Sequence, residues 1–255
     1  MMFVATLVLV TALGLIVGSF LNVCIHRLPL RQSLAWPPSH CPHCQSPVRP
    51  YDNIPVVSYL LLKGRCRACG GSISVQYPIV ELTTAVMFVA AYLLFDSPLF
   101  FQRVLFGCAM IVLFVIDLEH RILPDLITLP GIVAGFVFSF FMPPGWMNSL
   151  MGLVIGGGSL WVMGEMYYLL RHEDGMGFGD VKMLAMIGAF LGWKLMLLTL
   201  VLSSFVGSVI GVAMIVSKRG GLKYALPFGT FLAIGAIVAS VAGDHIVNWY
   251  ASFYR

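Results

Sequence analysis

The chain has 255 residues, 59% of them hydrophobic and only 10% charged, with a mean hydropathy of +0.93. A soluble domain of this length carries about 25% charged residues, so composition excludes a globule with a single anchor and implies a polytopic membrane protein. The net charge of +4 sorts by loop and forms no basic face, which argues against nucleic-acid binding and reads as a topology signal.

Taking ~17–25 residues per crossing, the apolar runs predict about eight spans, at 1–25, 77–95, 98–116, 126–142, 149–170, 181–193, 195–217 and 225–243. The first run carries no charge and is followed by Arg27 and Arg31. A secretory signal would place its basic residues before the apolar run. The reading is a retained first span whose N-terminus lies outside the cytoplasm. Later breaks coincide with Asp96-Ser97-Pro98, Leu123-Pro124-Asp125, Pro143-Pro144-Gly145 and Lys218-Arg219-Gly220-Gly221. The sixth run is short, with both Lys182 and Lys194 required to snorkel outward.

Orientation follows from counting. With the N-terminus outside, the cytoplasmic segments hold Arg27, Arg31, Arg49, Lys63, Arg65, Arg67, Arg121, Arg171, Lys182, Lys218, Arg219 and Lys223. The other side keeps Arg103, Lys194 and Arg255, so the positive-inside rule is satisfied in this orientation and violated in the reverse. Three domains are expected: a first transmembrane helix at 1–25, a cytoplasmic segment at 26–76, and a membrane-embedded domain at 77–255. The expected fold class is an all-α polytopic membrane protein, with a small cytoplasmic Cys₄ zinc-binding domain between the first two helices.

That segment has too few apolar residues for a strong core, and domains of its size need a staple. Cys41-Pro42-His43-Cys44 and Cys66-Arg67-Ala68-Cys69 are two Cys-x-x-Cys pairs, each able to aim both sulfurs at one point. Together Cys41, Cys44, Cys66 and Cys69 make a closed tetrahedral Zn²⁺ site of the structural kind. Disulfides are the alternative, but the reducing cytoplasm disfavours them. Four thiolates leave His43 unnecessary as a ligand. Cys24 and Cys108 lie inside spans and read as small hydrophobes.

Carboxylates at a membrane edge are expensive to keep and are functional candidates by default. Asp117 ends the third run, and Asp180 closes Gly177-Phe178-Gly179-Asp180 before the sixth. Both fall at the same expected depth, so tertiary convergence would make a pair that shares one proton. One member would act as base toward water and the other as acid toward a carbonyl. Gly177 and Gly179 would let a substrate backbone approach. The competing reading makes these aspartates helix caps, or partners of Arg121 and Lys182. It is preferred for Asp125, directly before the fourth span, and stands level with function for Asp180 on position alone. Asp125 and Lys182 are kept as secondary candidates. Glu119 and His120 read as a solvated loop, while Glu81 and Glu165 read first as structural partners.

Across nearly its whole length the chain resembles the bifunctional bacterial type IV prepilin peptidases. The resemblance rests on Gly18-Ser19-Phe20-Leu21-Asn22-Val23 with His26-Arg27-Leu28-Pro29, Asn53–Leu60, Tyr77–Leu82, the Asp117–Asp125 block, Gly175–Lys182 and Pro227-Phe228-Gly229. It implies a bacterial inner-membrane aspartic peptidase, with Asp117 and Asp180 catalytic at the cytoplasmic face. Its substrates would be type IV prepilins and pseudopilins, cleaved after a short basic leader. It also implies N-methylation of the new terminus with S-adenosylmethionine, with the cysteine segment and Gly18–Asn22 as plausible contributors. No soluble-type nucleotide loop locates that cofactor. Glu119, Glu173 and Asp174 are the few acidic candidates for meeting a basic leader. Remaining alternatives are a peptidase without methyltransferase activity, a transporter using edge carboxylates, and a thiol–disulfide exchanger.

Overall fold

The structure, a computed structural model, describes residues 1–173, 177–217 and 226–253. Asp174, Gly175, Met176, Lys218, Arg219, Gly220, Gly221, Lys223 and Arg255, all used above, lie outside the described residues. Among those described the chain is helical, with two isolated antiparallel bridges and no strand. It divides into two compact units, Met1–Val104 and Leu105–Arg255.

In the first unit, α1 (Met2–Arg27) and α3 (Gln76–Leu94) pack as a pair. Contact is close because α1 presents glycine. A Cβ at Gly14 would stand 2.7 Å from the Ala85 Cα, and one at Gly18 would stand 2.7 Å from the Glu81 Cα. Small residues at such a crossing let backbones approach where lipid supplies no hydrophobic drive. Asn22 adds a hydrogen bond from its Nδ2 to the Tyr77 carbonyl at 3.0 Å. The intervening segment holds a 3-10 turn at Pro50–Asn53 and the short α2 (Val57–Leu61). Buried Arg27 orders its beginning, donating to the carbonyls of Ser33 (2.8 Å) and Pro37 (2.6 Å).

The second unit is built around α7 (Phe178–Val216), whose residues Met183–Gly192 are all buried. Packed about it are α4 (Ser97–His120), α5 (Asp125–Phe138), α6 (Trp146–Arg171) and α8 (Phe228–Ser252). Phe106, Met110 and Leu113 of α4, Leu160 of α6, and Leu232, Ala233 and Ala236 of α8 complete the core. Glycines again set the spacing, with Gly152 of α6 against Gly188 of α7 and Gly135 of α5 against Phe190. Hydroxyls also donate to backbone carbonyls across helices: Ser149 Oγ to the Ala189 carbonyl at 2.7 Å, and Ser203 Oγ to the Phe231 carbonyl at 2.9 Å.

Among the described residues six helices (α1, α3, α4, α6, α7 and α8) are long and apolar enough to cross a membrane, and α5 is a shorter apolar helix. With many large apolar side chains exposed along them, this is a multi-pass membrane protein. The sixth and seventh expected runs share α7, but its backbone leaves helical values at Gly192 (φ 78°, ψ 171°), making it two helices in succession. The break falls before Trp193-Lys194, close to the boundary expected from the lysines. At 14 residues, α5 measures about 21 Å, short of a ~30 Å hydrocarbon core. Residues 139–142 turn ahead of Pro143-Pro144-Gly145 and do not extend it.

Candidate functional site

The C-terminus of α4 and the N-termini of α5, α7 and α8 meet at one end of the second unit. Asp117 lies in the last turn of α4 and is 5% exposed. Its Oδ2 accepts two hydrogen bonds from Thr230, from the backbone N–H at 2.6 Å and from Oγ1 at 3.0 Å. Thr230 is the third residue of α8, so the carboxylate meets an N–H that the helix itself leaves unpaired. Gly229 makes this approach possible: a Cβ there would stand 3.1 Å from Asp117 Cγ and Oδ2.

Asp180 occupies the third position of α7, after Gly177 at the N-cap, and its own N–H donates to the Gly177 carbonyl at 3.0 Å. It therefore does not serve as the N-cap. Leu123 draws the two loci together. A Cβ on Gly179 would stand 3.0 Å from the Leu123 Cβ, and one on Gly229 would stand 3.0 Å from its Cδ1. The Asp117 and Asp180 carboxylates are near enough to repel one another. One is buried and doubly hydrogen-bonded; the other is half-buried. The chain thus brings two acids separated by a long stretch of sequence to the same end of the second unit.

Asp125 takes neither the preferred capping role nor a place beside the pair's hydrogen bonds. Pro124 is the N-cap of α5, and no side-chain cap forms. Asp125 is instead exposed and ion-paired with Lys182 of α7, whose ammonium also lies 5.2 Å from the Phe178 ring centroid. Capping loses because the loop before α5 arrives with proline in cap position, leaving the carboxylate on the first turn, free to reach across. Glu119 and His120 also depart from expectation. They belong to the last turn of α4, exposed, and are 4.0 Å apart. Glu173 is exposed.

The four cysteines of the first unit converge, with all Sγ atoms within 4.8 Å of one another and Cys41 Sγ 3.9 Å from Cys69 Sγ. Tetrahedral Zn–S bonds of about 2.3 Å require sulfurs about 3.8 Å apart, so the set fits a zinc ion. The two knuckles share one construction. Gln45 N–H donates to the Cys41 carbonyl and Gly70 N–H to the Cys66 carbonyl, both at 2.9 Å. Cys41 N–H returns to the Ser46 carbonyl and Cys66 N–H to the Gly71 carbonyl. Each turn needs one positive φ, met by Gly70 (71°) and by Gln45 (58°). Without an ion the thiols differ. Hydrogen bonding to Ser46 pulls Cys44 down to about 6. Cys69 is pushed up to about 11, the Gly71 N–H opposing the rise and the neighbouring thiols and desolvation driving it. Next to the knuckles Asp52 accepts three hydrogen bonds from Arg67, two from Nε and one from Nη2 (2.6–3.1 Å), which holds its carboxyl below the usual range.

Glu81 is structural in the sense expected. It is 7% exposed, and its Oε2 accepts the Val56 N–H at 2.7 Å. Val56 stands at φ 61°, a conformation rare for a β-branched residue, and this bond helps hold it there. Thr230 is the residue that sequence reasoning missed. Its only signal was position, immediately after the Pro227-Phe228-Gly229 block at a helix start.

Two family descriptions match the chain. The bacterial peptidase A24 N-terminal domain covers residues 12–95, and the type IV leader peptidase family covers residues 104–212. A prepilin leader peptidase/N-methyltransferase of Stutzerimonas stutzeri is 37% identical over 95% of this chain and 93% of its own length. Proteins of the same name match at 36% identity in Pseudomonas aeruginosa, over 94% of this chain and 92% of the relative, and in Neisseria gonorrhoeae, over 95% and 93%. No solved structure matches.

Proposed function

The chain belongs to the type IV leader peptidase family, and we propose that it hydrolyses the bond joining the basic leader of a type IV prepilin or pseudopilin to the mature protein. In the same reading it then methylates the freed N-terminal amine, with S-adenosylmethionine as methyl donor. The observation that carries the hydrolysis is the meeting of Asp117 and Asp180 at one end of the second unit. Two carboxylates in mutual repulsion cannot both ionise cheaply, so the pair holds one proton. The ionised member removes a proton from water as its oxygen attacks the scissile carbonyl carbon. The protonated member gives its proton to the carbonyl oxygen. Return of a proton to the leaving nitrogen then breaks the C–N bond.

Cys41, Cys44, Cys66 and Cys69 would hold zinc, whose part is to staple the small segment together. The convergence of the four sulfurs supports this, since a dication lets all four serve as thiolates. Methyl transfer rests on the names of the relatives; it moves a methyl group from the donor's sulfonium to the amine, which loses a proton. The asymmetry of basic residues supports an inner-membrane orientation with the N-terminus outside and the carboxylates at the cytoplasmic face. The 26–76 segment then lies in a reducing compartment, as a thiolate site requires.

The test is incubation of purified enzyme with a purified prepilin in detergent, with and without S-adenosylmethionine, followed by mass spectrometry of the product's N-terminus. Leader loss should occur in both samples and a gain of one methyl only with the donor. Cleavage without the methyl gain would leave a peptidase alone, and an intact prepilin would refute the proposal.

A further inference from the structure

The two carboxylates are held differently, and the difference assigns their roles. Thr230 places two donors on one oxygen of Asp117, and the backbone N–H of that pair can only donate. A proton on Oδ2 would collide with it, and protonation elsewhere on the group would weaken both bonds. Among the described residues no hydrogen-bond donor does the same for Asp180. Among the described residues, the charged groups facing Asp117 are Asp180 from α7 and Arg121 from just beyond the end of α4. Lys182 of α7 is engaged with Asp125 of α5, and the first turn of α8 brings uncharged Thr230. Hydrogen bonds to an ionised acceptor are roughly twice as strong as neutral ones.

We propose that Thr230 is a positioning residue that keeps Asp117 as the ionised member of the pair, making Asp117 the base toward water and Asp180 the acid toward the carbonyl oxygen. The inference rests on the peptidase reading above. Water's oxygen bonds to the carbonyl carbon while its proton passes to Asp117 Oδ1, the oxygen Thr230 leaves open. Asp180 simultaneously protonates the carbonyl oxygen, giving a neutral gem-diol. Asp117 then delivers its proton to the leaving nitrogen, the C–N bond breaks, and Asp180 recovers a proton from one diol hydroxyl. The products are the leader's carboxylic acid and a free amine, and both aspartates regain their starting states.

The experiment measures kcat and KM for prepilin cleavage against pH, using full-length enzyme in detergent. Parent, Thr230→Val, Thr230→Ser and Asp117→Asn are compared, with bound zinc as a folding control. Valine keeps the shape and the N–H but removes the Oγ1 donor. Losing that donor disfavours the ionised base, so a higher pH is needed to form it. The acidic limb of the kcat profile should therefore rise by about one pH unit, and kcat on that limb should fall about tenfold with KM little changed. Serine restores the donor and should restore the limb. A Thr230→Val profile superimposing on the parent's, or a Thr230→Ser enzyme as impaired as Thr230→Val, overturns the assignment. If Thr230→Val does not fold, Thr230→Ser decides: the parental limb supports the assignment and loss of cleavage overturns it. An Asp117→Asn enzyme that still cleaves would sink the peptidase reading itself, whereas an inactive one beside an unshifted Thr230→Val sinks only the role of Thr230.

Discussion

The α6–α7 crossing offers a perturbation whose sign and size can be worked from distances. In Gly188→Ala the new Cβ would fall 2.1 Å from the Gly152 carbonyl oxygen and 2.3 Å from its carbon. Carbon–oxygen contacts normally lie near 3.3–3.6 Å, so the helices must part by about 1 Å or more. Both partners are backbone and cannot rotate aside. Separation would also stretch the 2.7 Å bond from Ser149 Oγ to the Ala189 carbonyl. Overpacking of this kind costs about 1–3 kcal/mol, which for a chain this long lowers melting by roughly 2–12 °C. Because α7 carries Asp180 at its first turn, cleavage should fall by about 10–100-fold even where the fold persists. Gly158→Ala, in the same α6, is the control, since nothing lies within 4 Å of its added Cβ. There alanine gains up to about 1 kcal/mol of helix propensity and should leave melting unchanged or raised. Circular-dichroism melts of both variants in one detergent, with cleavage assayed beside them, make the comparison. A Gly188→Ala melt within about 1 °C of the parent, or equal losses in both variants, would refute the close-packing argument.

Asp117→Asn and Asp180→Asn should each reduce cleavage by about 10²–10⁴-fold while zinc content and membrane insertion match the parent; substantial turnover in either removes the dyad. Asp125→Asn breaks an exposed ion pair with Lys182, and its kcat should fall less than about tenfold in the same assay; a loss as deep as that of Asp117→Asn would put it in the chemistry. Metal analysis should find one zinc per chain, lost in Cys41→Ser. Bound zinc should shield all four cysteines from alkylation and its removal should expose them; labelling that zinc does not change would remove the metal site.

Hydropathy and residue spacing are local properties, and what depends on them was legible in the chain itself. Scarcity of charge announced a polytopic helical protein, and paired Cys-x-x-Cys motifs announced a four-thiol cluster. Asp117 and Asp180 stood out because carboxylates at span ends are costly wherever the helices go. Gly70 supplies the positive φ of its turn without strain, while Gln45 in the equivalent turn carries no such local mark, since its positive φ is imposed by the knuckle's hydrogen bonds. Partnership is a different matter. Which group meets Asp117 depends on how α8 crosses α4, 113 residues away, and Thr230 has no local peculiarity to advertise it. Asp125 sat where a cap belongs, yet Pro124 takes the cap position, and the carboxylate on the first turn of α5 pairs instead with Lys182 of α7. Interhelical geometry, set by glycines packed backbone to backbone, made those choices, because a side chain's energy is settled by the neighbours that folding delivers.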